Sequence, residues 1–235
     1  MNIGILIICT GKYNIFFEDL YRSSEKFFLK NHKKTYYVFT DGIIPYDDNI
    51  KKIFQKNLGW PYNTLKRFEM FNSVSDIITK EDFLFFLNAN MLFIDYVNEE
   101  VIPEEKNNFL MGVNHPGFFN KNREEFTYER RPESTFYIPI NEGDYYYQGC
   151  FNGGKSDEFL KMSKILDNMI NVDLKNNITP IWHDESSLNW YYSKISPLIM
   201  DSGYSYPEDW IIPFDKKILQ RNKKNYGGYN YLRNI

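Results

Sequence analysis

Cysteine is nearly absent from this chain. Only Cys9 and Cys150 are present, far apart and without a Cys-x-x-Cys spacing, which argues against a disulfide framework or a zinc site and fits a reducing compartment. Histidine is equally scarce, and His32, His115 and His183 share no metal-ligand spacing, so no metal is assigned to them. No charge of one sign dominates: the net charge of -3 gives no general attraction to nucleic acid or to an acidic membrane. Long hydrophobic runs are missing too. The opening Ile3 to Ile8 is too short to span a bilayer and lacks the basic start of a secretion signal. No internal repeat, low-complexity linker or Gly-x-Gly-x-x-Gly fingerprint appears. Gly11-Lys12 is not a P-loop, because Gly4 precedes Gly11 at the wrong spacing and Tyr13 follows the lysine.

What remains is an aromatic-rich chain of 235 residues, 18% Phe, Trp and Tyr, long enough for one sizeable core. Ile3 to Ile8 reads as a buried strand. It is followed by a helix with Phe16, Phe17, Leu20, Tyr21, Phe27 and Phe28 on one face, and then by a strand at Tyr36 to Phe39. A helix from Thr64 through Val74 and a third buried strand at Phe83 to Leu87 continue the alternation, which predicts a mostly parallel α/β sheet. Beyond Asp95 the rhythm changes. Short strands are expected near Phe109 to Val113 and Phe136 to Ile138, and helices near Ser156 to Ile170 and Glu185 to Lys194. Lysines and arginines gather in the last stretch, from Lys216 to Arg233, where Lys223 to Tyr229 suits a closing lid or a solvated tail.

Three segments carry chemistry. Pro180-Ile181-Trp182-His183-Asp184-Glu185-Ser186 places an aromatic platform, an imidazole, two carboxylates and a hydroxyl at a helix start. A polyol needs such donors, acceptors and an apolar ring, and a cationic glycosidic carbon needs a carboxylate. Read alone, the plainer account is a capped helix with Asp184 or Ser186 as N-cap. Asn88-Ala89-Asn90 interrupts an apolar stretch, either as a hydrogen-bonded turn or as part of a sugar-nucleotide site, and its neutral amides hold hard cations poorly. His115-Pro116-Gly117-Phe118 puts an imidazole among aromatics in a turn.

Together these segments resemble glycosyltransferase family 6, the group of the blood-group A and B transferases and the α1,3-galactosyltransferases. The resemblance runs in order through Ile8-Cys9-Thr10-Gly11-Lys12-Tyr13, Tyr36 to Asp41, Thr64-Leu65-Lys66-Arg67-Phe68-Glu69-Met70, Asn88-Ala89-Asn90, His115 to Phe118, Phe126-Thr127-Tyr128-Glu129-Arg130-Arg131, Tyr145 to Gly154, and Trp182 to Ser186. It implies a GT-A fold: one domain, its first 95 residues or so a Rossmann-like UDP-binding half, merged with an acceptor-binding and catalytic half. It also implies donor contacts at Ile8, Thr10, Tyr13, Arg67, Asn88, Ala89, Asn90, Gln148, Gly149, Cys150, Asp184, Lys224 and Arg233. The acceptor would meet His115, Phe118, Thr127 and Trp182, and Glu185 would be the catalytic carboxylate. Vertebrate members carry Asp-x-Asp, which binds manganese, where this chain has Asn-x-Asn. The expectation is therefore a retaining enzyme that needs no divalent metal or other cofactor. It would move galactose from UDP-galactose to O3 of a β-galactoside, a fucosylated one before a plain one: in the family, donor choice is set by the bulk beside the sugar's C2 at the positions of Gln148 and Cys150, and Cys150 is larger than the glycine that accompanies an N-acetyl group. The alternatives are UDP-GalNAc as donor, or an inert UDP-sugar or glycan-binding relative. With neither anchor nor stem in view, its expected place is a bacterial cytoplasm, at the inner membrane if the acceptor is lipid-linked.

Overall fold

In the computed structural model, which describes residues 1–233, ten strands and seven helices alternate along the chain. They are β1 (Asn2–Ile8), α1 (Phe17–Phe27), β2 (Lys33–Thr40), β3 (Ile50–Phe54), α2 (Tyr62–Leu65), α3 (Arg67–Asn72), α4 (Ser75–Ile78), β4 (Phe83–Asn88) and β5 (Met91–Phe93), then β6 (Leu110–Asn114), β7 (Tyr147–Lys155), α5 (Ser156–Lys175), α6 (Asp184–Tyr192), β8 (Leu198–Met200), β9 (Tyr206–Pro207), β10 (Ile218–Gln220) and α7 (Gly228–Arg233). Seven strands form one sheet in the order β3-β2-β1-β4-β7-β6-β8, and β5-β10-β9 form a small second sheet. β7 runs antiparallel to both its neighbours, while the other pairings in the large sheet are parallel.

The uninterrupted apolar runs of β1 and β4 follow from a sheet covered on both faces. Ile3, Ile5, Ile7, Phe85 and Leu87 point into a core shared with α1, whereas Leu6, Leu84 and Phe86 point into one shared with α3, α5 and α6. A third, smaller cluster of Phe126, Tyr128, Ile138 and Tyr146 sits under the loops between β6 and β7. The change of rhythm after Asp95 thus marks the point where regular alternation yields to loops wrapped around their own aromatic core.

Several local expectations are corrected. Phe136 to Ile138 is not a strand: Phe136 and Ile138 are fully buried in a loop, and the Ile138 N–H donates to the Glu129 carbonyl. The helix expected from Thr64 is broken into α2, α3 and α4. β7, buried along nearly its whole length, was not anticipated as a strand because its glycines and amides have low strand propensity. Packing decides instead: a Cβ on Gly153 would lie 2.5 Å from the Leu84 carbonyl oxygen and closer still to the Phe85 ring, so only glycine lets β7 pair with β4 there.

Candidate active site

β1 and β4 end side by side, with Ile8 in register with Asn88, and β7 enters between β4 and β6 from the opposite direction. The carboxyl ends of β1 and β4 and the first residues of β7 therefore meet at one edge, where open α/β sheets hold ligands. A cavity of about 270 Å³ opens there. It brings together Ile8, Thr10 and Tyr13 from the turn after β1, Arg67 from α3, Asn88, Ala89 and Asn90, the β7 residues Gln148, Gly149 and Cys150, Trp182, Asp184 and Glu185 at the start of α6, and Arg233.

The helix that presents the two carboxylates is aimed by strain and by a side-chain clamp. His183 precedes α6 at φ 55° and ψ -121°, a conformation rare outside glycine, with its ring edge-on to Trp60 at 4.7 Å. Neither Asp184 nor Ser186 is the N-cap; Ser186 Oγ instead accepts from the Trp182 N–H at 2.9 Å. Asn189, one turn into α6, accepts from the Tyr147 N–H at 2.7 Å and donates to the Tyr147 carbonyl at 2.8 Å, which fastens α6 to β7.

Asp184 and Glu185 consequently turn to different partners. The buried Asp184 carboxylate lies 2.8 Å from Arg67 Nη2, and Arg67 Nη1 donates to the Gly149 carbonyl at 2.6 Å. Glu185 Oε2 accepts from the Gly149 N–H at 2.9 Å. Residue 149 is thus gripped on both sides. A Cβ there would come within 2.6 Å of Asp184 Oδ2, which is why the position is glycine. Burial raises the pKa of both acids to about 7; Arg67 opposes the rise at Asp184, as do the Gly149 N–H and Tyr146 hydroxyl at Glu185. Asp184 is committed to its guanidinium, whereas Glu185 is held by neutral donors, the Gly149 N–H and the Tyr146 hydroxyl.

The two asparagines do separate jobs. Asn88 faces the cavity at the end of β4. Asn90 also borders it, but its amide nitrogen donates to the Arg221 carbonyl at 2.9 Å and its carbonyl accepts from the Arg221 N–H. The two readings of this segment meet here: the backbone is a turn that leaves the sheet, and the turn borders the cavity. A divalent cation fits this pair badly, because both side chains are neutral and one is tied to the backbone. Among the described residues, no three His, Cys, Asp or Glu side chains are grouped so as to hold a metal ion.

His115, Phe118 and Thr127 do not line this cavity; His115 and Phe118 pack with Tyr146 in an aromatic cluster. The His115 ring packs edge-on against Phe118 at 5.0 Å and Tyr146 at 5.6 Å, and the Tyr146 hydroxyl reaches toward both Thr127 and Glu185. His115 Nδ1 accepts from the Gly117 N–H at 2.9 Å, and burial lowers its pKa to about 4, so the ring is neutral with Nε2–H as its free donor. Trp182 borders the cavity and leaves about half of its surface, 47%, open to solvent.

The tail requires one exchange. Lys223 lines the cavity, whereas Lys224 is exposed on the far side of a tight 3-10 turn, because successive side chains on such a turn point about a third of a revolution apart. Burial, aided by Arg233, lowers the Lys223 pKa to about 8. The Arg233 guanidinium lies 3.5 Å from the centre of the Trp60 ring and 4.7 Å from that of Tyr229. Sequence reasoning missed Asn57, Trp60, Asn63, Thr64, Gln220 and Tyr229. For Trp60 the signal was there, in an aromatic inside an Asn/Gly/Pro turn just ahead of the Arg67 helix.

A strand-end cavity lined by Arg67, Lys223, Arg233 and two carboxylates, set in a mostly parallel α/β sheet, is the architecture of a GT-A-like hexosyltransferase. Comparison with known proteins agrees. Residues 1–234 match the model of Glycosyltransferase family 6. The chain is 38% identical to the O-antigen biosynthesis glycosyltransferase WbnI of Escherichia coli, over 99% of this chain and 100% of that protein. It is 35% identical to histo-blood group ABO system transferase 1 of Rattus norvegicus, over 80% of this chain and 56% of the relative. For globoside alpha-1,3-N-acetylgalactosaminyltransferase 1 of Gallus gallus the identity is 32%, over 84% and 59%. The chain thus spans a little over half the length of the rat and chicken relatives. It belongs to glycosyltransferase family 6, whose members work with a nucleotide-sugar donor and a glycan acceptor. No helix among the described residues is long and apolar enough to cross a membrane.

Proposed function

We propose that this enzyme transfers galactose from UDP-galactose to O3 of a β-galactoside, preferably a fucosylated one, with retention of configuration and without a divalent metal. The observation that carries this reading is the cavity itself, which Arg67, Lys223 and Arg233 line together with Glu185, a carboxylate that among the described residues forms no salt bridge. Ile8, Thr10 and Tyr13 would take the uridine at the end of β1. The three cations would neutralise the leaving diphosphate in the role a metal plays elsewhere, each acting as a fixed positive charge in a site shielded from bulk water.

In the reaction the bond from sugar C1 to the diphosphate oxygen breaks and a bond from C1 to the acceptor O3 forms. The acceptor's hydroxyl proton leaves to the departing diphosphate or to Glu185. Retention admits two routes, with Glu185 as covalent nucleophile or as stabiliser of a cationic C1 during attack from the leaving-group side. By the family's pattern Gln148 and Cys150 stand beside the sugar's C2, where the thiol, larger than a glycine, favours a hydroxyl over an acetamido group. The names of the globoside relatives support a second reading, with UDP-GalNAc as donor. Its place, on either reading, is the bacterial cytoplasm, where sugar nucleotides are made, beside the membrane if the acceptor is lipid-linked. The test is turnover of UDP-galactose with a β-galactoside in excess EDTA. Full activity is expected, and loss on chelation with recovery on Mn²⁺ would overturn metal independence.

A further inference from the structure

Four polar side chains in and just behind the cavity wall bond to one another. Ser205 ends a buried 3-10 turn (Ser202–Ser205) just before β9, Gln148 and Cys150 flank Gly149 on β7, and Gln220 ends β10. Ser205 Oγ lies 2.9 Å from Cys150 Sγ and donates to Gln148 Oε1. Gln148 Nε2 in turn donates to Gln220 Oε1 at 3.1 Å. A carboxamide oxygen is a much better acceptor than sulfur, so the single hydroxyl proton goes to Gln148 and the thiol donates to Ser205. Burial supports that direction by raising the Cys150 pKa to about 12, which keeps the sulfur protonated. The chain of bonds leaves Gln148 no free rotation. Its oxygen is turned to Ser205 and one N–H to Gln220, leaving the other N–H for whatever occupies the cavity.

Gln148, Cys150 and Gln220 line the cavity; Ser205 stands behind them. We propose that Ser205 is a positioning residue for donor choice, fixing the Gln148 carboxamide and the Cys150 thiol as a rigid wall against the C2 substituent of the transferred hexose. This rests on the galactosyl-transfer reading above. A wall pinned in this way receives a hydroxyl and has no second rotamer with which to make room for an acetamido group. Cutting the pin frees both side chains to swing aside.

The test compares kcat/KM for UDP-galactose and UDP-GalNAc, with one common acceptor, in the wild type, S205A, S205T and Q220L. A partly unfolded variant loses both activities together and leaves their ratio unchanged, so the ratio reports positioning alone. S205A is expected to lower the galactose preference at least about tenfold, the scale on which steric selection operates, chiefly through a lower KM for UDP-GalNAc. S205T retains the hydroxyl and is expected to keep the wild-type ratio, while Q220L, which cuts the other tether, shifts it in the same direction as S205A. An unchanged ratio in both S205A and Q220L, or a shift in S205T as large as that in S205A, would overturn the proposal. A wild type that transfers neither hexose would instead overturn the transfer reading on which it rests.

Discussion

Replacing Glu185 with glutamine should disable the enzyme and stabilise the unliganded protein, and the stability gain should depend on pH. Burial raises the Glu185 pKa from its ordinary 4.5 to about 7. The folded chain therefore holds this proton more tightly than the unfolded chain. The resulting stability is complete below about pH 4.5, falls as pH rises, and is gone above about pH 7. At ~1.4 kcal/mol per pH unit the ceiling is about 3 kcal/mol. The side chain is only partly buried and solvent screening lowers the figure, so roughly 1–3 kcal/mol is expected, or about 2–10 °C in melting temperature for a chain of this size. Glutamine keeps an oxygen for the Gly149 N–H and loses the charge, so Glu185→Gln should melt higher than wild type at pH 8 and by a much smaller margin at pH 5. Turnover should drop by several orders of magnitude while UDP still binds. Scanning calorimetry at both pH values, with transfer assays alongside, decides the matter. A variant no more stable at pH 8 than wild type would refute the burial argument, and near-normal turnover would remove Glu185 from the chemistry.

Other expectations follow from the same geometry. Gly149→Ala forces a methyl to within 2.6 Å of Asp184 Oδ2, so Asp184 must move by nearly an ångström from Arg67; a loss of about 10²-fold in kcat is expected, and activity within a few-fold of wild type would show that the cradle is soft. Arg67→Ala leaves the buried Asp184 unpaired and should cost roughly 3–5 kcal/mol in unfolding titrations, far more than alanine at the exposed Arg22. Lys223→Ala should raise KM for the UDP-sugar at least tenfold whereas Lys224→Ala should not, and the reverse order would show that the tail turn is set one residue differently. His115, held neutral by burial with a pKa of about 4, should give His115→Phe a higher acceptor KM by a factor that stays constant from pH 5 to 8; a factor that changes near pH 6.5 would mean the ring titrates.

How much of this could be read from the sequence depended on whether a residue's role is local. β1, β2, β4, α1 and α5 were legible because covered strands and amphipathic helices write their burial into apolar periodicity. β7 was not. Its Gln, Gly, Cys and Asn residues are chosen for the cavity and for close passage past Phe85, so function erased the strand signal at the centre of the sheet. Most of the donor-side residues were placed by their motifs and do line one cavity. Gln220 and Lys223 were missed because chain segments distant from the motifs bring them there, the small second sheet and the tail, whereas Trp60 lies just ahead of the Thr64 motif in a turn that the sequence does signal. The capped-helix account of Asp184 also fails for a tertiary reason, since an arginine 117 positions earlier in the chain takes its carboxylate.

The measurement that bears most directly on the transfer reading is incubation with UDP-galactose and 2′-fucosyllactose in EDTA, followed by mass and anomeric analysis of every galactose-containing product. A trisaccharide extended by one hexose in α linkage, with little free galactose, is the expected result. Free galactose in the presence of acceptor, or no product until Mn²⁺ is added, would contradict it.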